Sequence, residues 1–211
     1  MVAEIRIRVE SDLGVVVLIA FLSVFMGCGG DGGKGETARE VTQEGWRLFE
    51  LGKHQEALEK FQIAVGIQPT YADAHNGMGW CYAVLDQFGD AIESFQSAID
   101  NGIEVADPYA GKALVYRDYT EADQHFEKAI VSAELALSIS RRYCFAHDPD
   151  LDWKDLMLVL AQCHYALTNY DLANAWVDSL PDGVPVNPTS PNFVADLAAE
   201  IERLGSLYAS R

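Results

Sequence analysis

The chain repeats itself at a fixed period. Displaced by 34 residues, Ala38, Gly45, Trp46, Ala57, Glu59, Phe61, Gln62 and Ala64 fall on Ala72, Gly79, Trp80, Ala91, Glu93, Phe95, Gln96 and Ala98. Self-similarity at such a period marks stacked supersecondary units, none of which can bury its apolar face alone. The residue types fit a pair of helices per unit. Gly45 and Gly79 lie inside a first helix, where a side chain of one hydrogen lets a partner helix approach, and Ala57 and Ala91 take the matching place on the second. Leu48, Phe61 and Ala64, then Tyr82, Phe95 and Ala98, recur at helical intervals and fill the space between the pair. Gly52-Lys53 breaks the first pair, and Gln68-Pro69 ends its second helix.

Two further units continue the series. Tyr109, Gly111, Leu114, Tyr119, Ala122, Phe126 and Ala129 outline a third, one residue shorter between Gly111 and Ala122. Its second helix runs on through Ala133, Leu135, Ala136, Leu137 and Ile139. A fourth shows Leu160-Ala161, Tyr170, Ala173 and Val177. A Pro-rich loop follows, then a last amphipathic helix with Phe193, Val194, Leu197, Ile201 and Leu204 on one face and Ser190-Pro191 as N-cap and first-turn pair.

This pattern resembles the tetratricopeptide repeat, a helix-turn-helix of 34 residues. The resemblance implies an all-α fold: units at 38–71, 72–103, 104–141 and 152–180 stacked into a right-handed α-solenoid, a loop at 181–190 and a capping helix at 191–211. The first unit departs from the family at Glu44, where a large apolar residue usually precedes the glycine.

Residues 1–27 read as an export signal. Arg6 and Arg8 precede an apolar run from Leu13 to Met26, which as a helix would span about 21 Å, short of the roughly 30 Å hydrocarbon core. Gly27-Cys28 resembles the lipobox of bacterial lipoproteins, with Phe25 and Met26 off its preferred types. That resemblance implies a lipid on Cys28 and a place in the cell envelope, facing the periplasm from the outer membrane, as Gly29 after Cys28 suggests. An ordinary cleaved signal and an uncleaved anchor are the alternatives. Residues 28–37 make a Gly-rich tether. Gly33-Lys34 is followed by Gly35 in place of Ser or Thr, so no phosphate loop is present there.

Charge excludes one function class. Lys and Arg number 15 against 32 Asp and Glu, a formal net charge of −17, and no basic run is longer than Arg141-Arg142. Nucleic acid is therefore not an expected partner. Asp148, Asp150 and Asp152 alternate like a calcium loop, but Trp153 replaces its turn glycine, so they read as caps of the following helix. His54, His75, His125, His147 and His164 show no metal-ligand spacing. Beyond Cys28, Cys81, Cys144 and Cys163 form no CxxC, although Cys144 and Cys163 are candidates to pair. No catalytic constellation, metal site or cofactor is expected.

The family resemblance places Trp46 and Trp80 on the inner face of the solenoid. With Phe49, Asn76 and Val84 they are expected to floor a groove that takes an apolar or aromatic segment of another protein, since buried aromatic anchors dominate protein interfaces; the alternative is that the two indoles pack on each other and on the tether. The resulting expectation is a non-catalytic, membrane-anchored scaffold. An enzyme carried on a helical superhelix, such as a cell-wall hydrolase, and a small-molecule binding module are the alternatives.

Overall fold

The computed structural model describes residues 36–210; the segment read as an export signal, Cys28 and nearly all of the expected tether lie outside them. Among the described residues the chain is all-α apart from one small hairpin. Four antiparallel helix pairs follow one another: α1 (Ala38–Glu50) with α2 (His54–Ile67), α3 (Ala72–Val84) with α4 (Phe88–Asp100), α5 (Asp107–Asp118) with α6 (His125–Ile139), and α7 (Trp153–Ala166) with α8 (Tyr170–Ser179). Strands β1 (Cys144–Phe145) and β2 (Asp148–Asp152) interrupt the series before α7, and α9 (Phe193–Tyr208) closes it. The first helices of successive pairs touch, α1 to α3, α3 to α5 and α5 to α7, which gives a solenoid with one inner layer.

Local chemistry sets the helix ends. Thr37 accepts the Glu40 N–H while the Glu40 carboxylate accepts the Thr37 N–H, a capping box. Asp152 and Asp155 make the same box for α7, so of the three alternating aspartates one caps the helix and Asp148 and Asp150 lie in β2. At the end of α1 the Lys53 and Gly52 N–H groups reach back to Leu48 and Phe49 carbonyls, with Gly52 left-handed at φ 72°. Asp86 and Thr168 hold the same left-handed place after α3 and α7.

The first two pairs are locked by one ring each. A Cβ on Gly45 or Gly77 would stand 2.7 or 2.4 Å from the Phe61 ring, and on Gly79 or Gly111 2.5 or 2.2 Å from Phe95. Each phenylalanine therefore wedges between a glycine of its own unit and one of the next. Ala57 and Ala91 are fully buried beside them.

Here the third unit corrects the expectation. Gly111 faces the preceding ring as Gly77 does, so it is the counterpart of Gly77, and Ala113 takes the place of Gly79. Ala122 lies in the turn before α6 and is no repeat position. The fully buried series Ala57–Phe61–Ala64 and Ala91–Phe95–Ala98 continues in spacing as Ala129–Ala133–Ala136 and then Ala173–Val177–Leu180. The α5–α6 turn runs from Tyr119 to Gln124 without the left-handed residue after α5; that conformation moves to Gln124 at φ 53°. The longer turn displaces the stripe of α6.

Two apolar clusters result, one running from α1 to α7 and one joining α7, α8 and α9 through Leu158, Ala173, Val177, Leu197 and Leu204. Helix α9 begins at Phe193 with Asn192 as N-cap; Ser190 Oγ accepts the Asn192 N–H just outside it. Val194 is exposed. Cys144 and Cys163 are both free thiols, one exposed and one buried. No helix among the described residues is long and apolar enough to cross a membrane.

Candidate functional site

Period and helix pitch together build the inner face. Thr42 and Trp46 lie four residues apart on α1, and Asn76 and Trp80 occupy the same places on α3 one period later, so both pairs share a face. The Trp46 indole rests edge-on against Phe49 and Phe61, with ring centroids at 5.7 and 4.9 Å, and Trp80 rests edge-on against Phe95 at 5.4 Å. Phe61 and Phe95 are the helix-locking rings, so the floor is rigidly backed.

The floor is not open. Trp46 and Trp80 are only 6% and 4% exposed, because the segment entering the hairpin lies on them. Phe145, 1% exposed, stacks on Trp80 at 4.2 Å and meets Trp46 and Phe49 edge-on at 6.0 and 6.1 Å. His147 stacks flat on Trp46 at 3.9 Å with the planes 3° apart, and its Nδ1 stands 2.8 Å from Glu50 Oε1. The expected aromatic floor of Trp46, Phe49, Asn76 and Trp80 is brought together, but it is covered by residues from the far side of the third unit. Val84, 49% exposed, is not part of it.

Carboxylates rim the same face. Asp73 and Asp107, one period apart, sit in the first turns of α3 and α5. Trp46 Nε1 donates to Asp73 Oδ1 at 3.1 Å. The Tyr143 hydroxyl lies beside the Asp107 carboxyl, close enough to act on it but outside hydrogen-bonding geometry. Burial holds both carboxyls above the usual range, opposed at Asp73 by the Trp46 N–H and at both by charge on His147. Burial also pushes the Tyr143 phenol up, with the Asp107 charge adding to it.

Three polar atoms on this face are buried without a hydrogen-bond partner: Thr42 Oγ1, Asn76 Oδ1 and Trp80 Nε1. A buried polar atom left unsatisfied costs about 1–3 kcal/mol. Residue type offers little for covalent chemistry. Burial raises the thiols of Cys81 and Cys163 to about 12, the opposite of what a nucleophile needs. Sequence reasoning did not assign Glu50, Asp73, Asp107, Tyr143, Phe145 or His147. The 34-residue spacing of the two aspartates and the aromatic pair in an otherwise polar connection were the available signals.

A second concavity lies between α4, α5 and α6. It is an open, mostly apolar cleft of about 500 Å³ bordered by Ile99, Tyr109, Tyr116, Val131 and Leu135. Lys112 donates to Gln96 across it at 2.8 Å, and the Lys128 ammonium stands 5.6 Å from the Tyr116 ring centre.

Residues 42–109 match the tetratricopeptide repeat family profile. No curated protein matches the chain. Among solved structures, the chain is similar to YrrB, described as a tetratricopeptide protein with an unusual peptide-binding site, at 16% identity and a TM-score of 0.59 over 82% of this chain and 79% of that one. It is similar to PilW, described as a type IV pilus biogenesis factor, at 20% identity and 0.56 over 78% and 69%. A thermophilic tetratricopeptide protein of Thermus thermophilus matches at 19% identity and 0.54 over 82% and 98%. At these identities the likeness establishes the fold.

Proposed function

We propose that this tetratricopeptide-repeat solenoid is a non-catalytic scaffold that binds a segment of another protein along its inner face, held in the cell envelope by lipid on Cys28. One observation carries the binding reading. The inner face already accommodates a peptide segment, with Phe145 laid on Trp80 and His147 on Trp46, so its shape and chemistry suit an aromatic peptide. The description of YrrB as having a peptide-binding site supports the same use of this architecture. PilW, a pilus biogenesis factor, offers one example of the assemblies such a scaffold serves. The anchor rests on Gly27-Cys28 after the apolar run, and the outer membrane on Gly29.

A photo-crosslinking residue at Glu50, on the rim of the inner face, and another at exposed Ile63 on α2 test the binding reading in intact cells. A defined envelope protein is expected to crosslink from position 50 and not from 63. The reverse pattern would move the site to the outer surface. Mass spectrometry of the mature N-terminus tests the anchor: a diacylglyceryl adduct on Cys28 is expected, lost in Cys28→Ser, and an unmodified Cys28 would end the lipoprotein reading.

A further inference from the structure

We infer that residues 143–147 are an internal ligand of the groove, displaced by a partner segment that carries an aromatic side chain and, two residues beyond it, a flat cationic one such as arginine. This rests on the reading of the inner face as a protein-binding groove.

The hairpin does not hold itself in place. Strand β1 has two residues, and the register breaks between Cys144 and Phe145. The two-residue turn, Ala146-His147, has neither residue in the left-handed conformation that tight hairpins favour. Pro149 removes a donor from β2, and an isolated two-stranded hairpin is marginal in water at best. Backbone bonds outside the hairpin hold only its first residue, Tyr143, whose carbonyl accepts the Trp153 N–H at 2.8 Å and whose N–H donates to the Ser140 carbonyl at 3.2 Å; beyond it, what positions the segment is the fit of Phe145 and His147 to the indoles. That is how a bound peptide is held.

It is also an imperfect ligand. Thr42 Oγ1, Asn76 Oδ1 and Trp80 Nε1, on the same inner face, stay buried and unpaired while it is in place. An invading backbone presents N–H donors and carbonyl acceptors, and one that satisfies even two of these atoms gains what the internal segment forgoes.

Charge selects the second side chain. Glu50, Asp73 and Asp107 all act on the place of His147, and no Lys or Arg forms a salt bridge with any of the three among the described residues. A guanidinium keeps its charge, lies flat on an indole as His147 does, and meets a carboxylate with two donors. The partner is therefore expected to be basic at that point, which also suits a chain of net charge −17.

Competition sets the magnitude. A tethered ligand lowers the apparent affinity of any rival in proportion to the fraction of time the groove is open. A labelled peptide with the sequence of residues 141–150 is titrated against the full chain in detergent, wild type and Phe145→Ala/His147→Ala. The variant is expected to bind it at least about tenfold more tightly than the wild type. A peptide with arginine at the place of His147 should bind more tightly still, and one with alanine at the place of Phe145 should not bind. Equal affinity for both proteins, or no binding to a folded variant, overturns the inference. Hydrogen exchange in the wild type decides the matter if the variant does not fold. Amides of residues 143–152 should exchange through local opening, well ahead of those of Ala133 and Leu160, whereas exchange only on global unfolding would make the segment permanent core. No natural partner enters these tests, so their failure is separate from failure of the crosslinking.

Discussion

The first two helix pairs and the third are built on one plan with different parts. In the first two, a phenylalanine from the second helix fills the space between glycines of two successive first helices, Phe61 between Gly45 and Gly77 and Phe95 between Gly79 and Gly111. In the third, ring and glycine are both gone, and Ala133 and Ala113, each fully buried, take their places. The short left-handed turn is replaced by a longer one, and the connection to the next pair becomes the hairpin that reaches back over α1 and α3. A ring clamped between glycines makes a stiff, strictly periodic interface. Alanine against alanine needs no such register, and there the chain departs from its period and supplies the groove's occupant.

The largest test of this contrast is Phe95→Ala. It empties a fully buried site between two rigid backbones and is expected to cost about 3–5 kcal/mol in urea unfolding, against about 1 kcal/mol for Ala133→Gly in α6. Similar losses at both would mean the ring clamp has no special weight. Next, Gly111→Ala drives a methyl into the Phe95 ring and should cost about 1–3 kcal/mol. Gly89→Ala in α4, with open space around it, should gain about 0.5–1 kcal/mol, and a loss there would point to strain outside the clamp.

Phe145→Ala is expected to cost less than half of the Phe95→Ala loss, because the groove it leaves opens to water while the helices stay packed. Quenching of tryptophan fluorescence by acrylamide should rise at the same time as Trp46 and Trp80 are uncovered. A loss as large as that of Phe95→Ala, without greater quenching, would place Phe145 in the same class as the clamping rings.

The smallest effect concerns pH. Asp73 and Asp107 have folded-state pKa values raised by burial, so the stability they lend is complete below the unfolded value of about 3.9 and is lost as pH rises through the folded value. Asp73→Asn/Asp107→Asn should therefore flatten the decline of the urea midpoint from about pH 4 upward. An unchanged slope would assign that decline to the general acidity of the surface.

Much of the architecture was legible in the residue order. Gly45, Gly79, Phe61 and Phe95 recur because a wedge needs a large residue opposite small ones at a constant spacing, and that demand is local. The third unit was legible only in outline. Matching by residue type set Gly111 against Gly79 and Ala122 against Ala91, whereas burial sets Gly111 against Gly77 and moves the repeat stripe onto Ala129, Ala133 and Ala136, which the sequence had already placed along the same helix. The longer turn carries no glycine or proline to announce it; Gln124 takes the left-handed conformation instead.

For the groove, the same physical line divides what each level decided. Period and helix pitch by themselves determined that Trp46, Trp80 and Asn76 share a face, since residues four apart on a helix and one repeat apart in the stack must do so. What covers that face was decided by tertiary structure alone. His147 meets Trp46 from 101 positions further along the chain, and a contact at that distance rests on how one irregular connection folds back, for which no periodicity exists to be read.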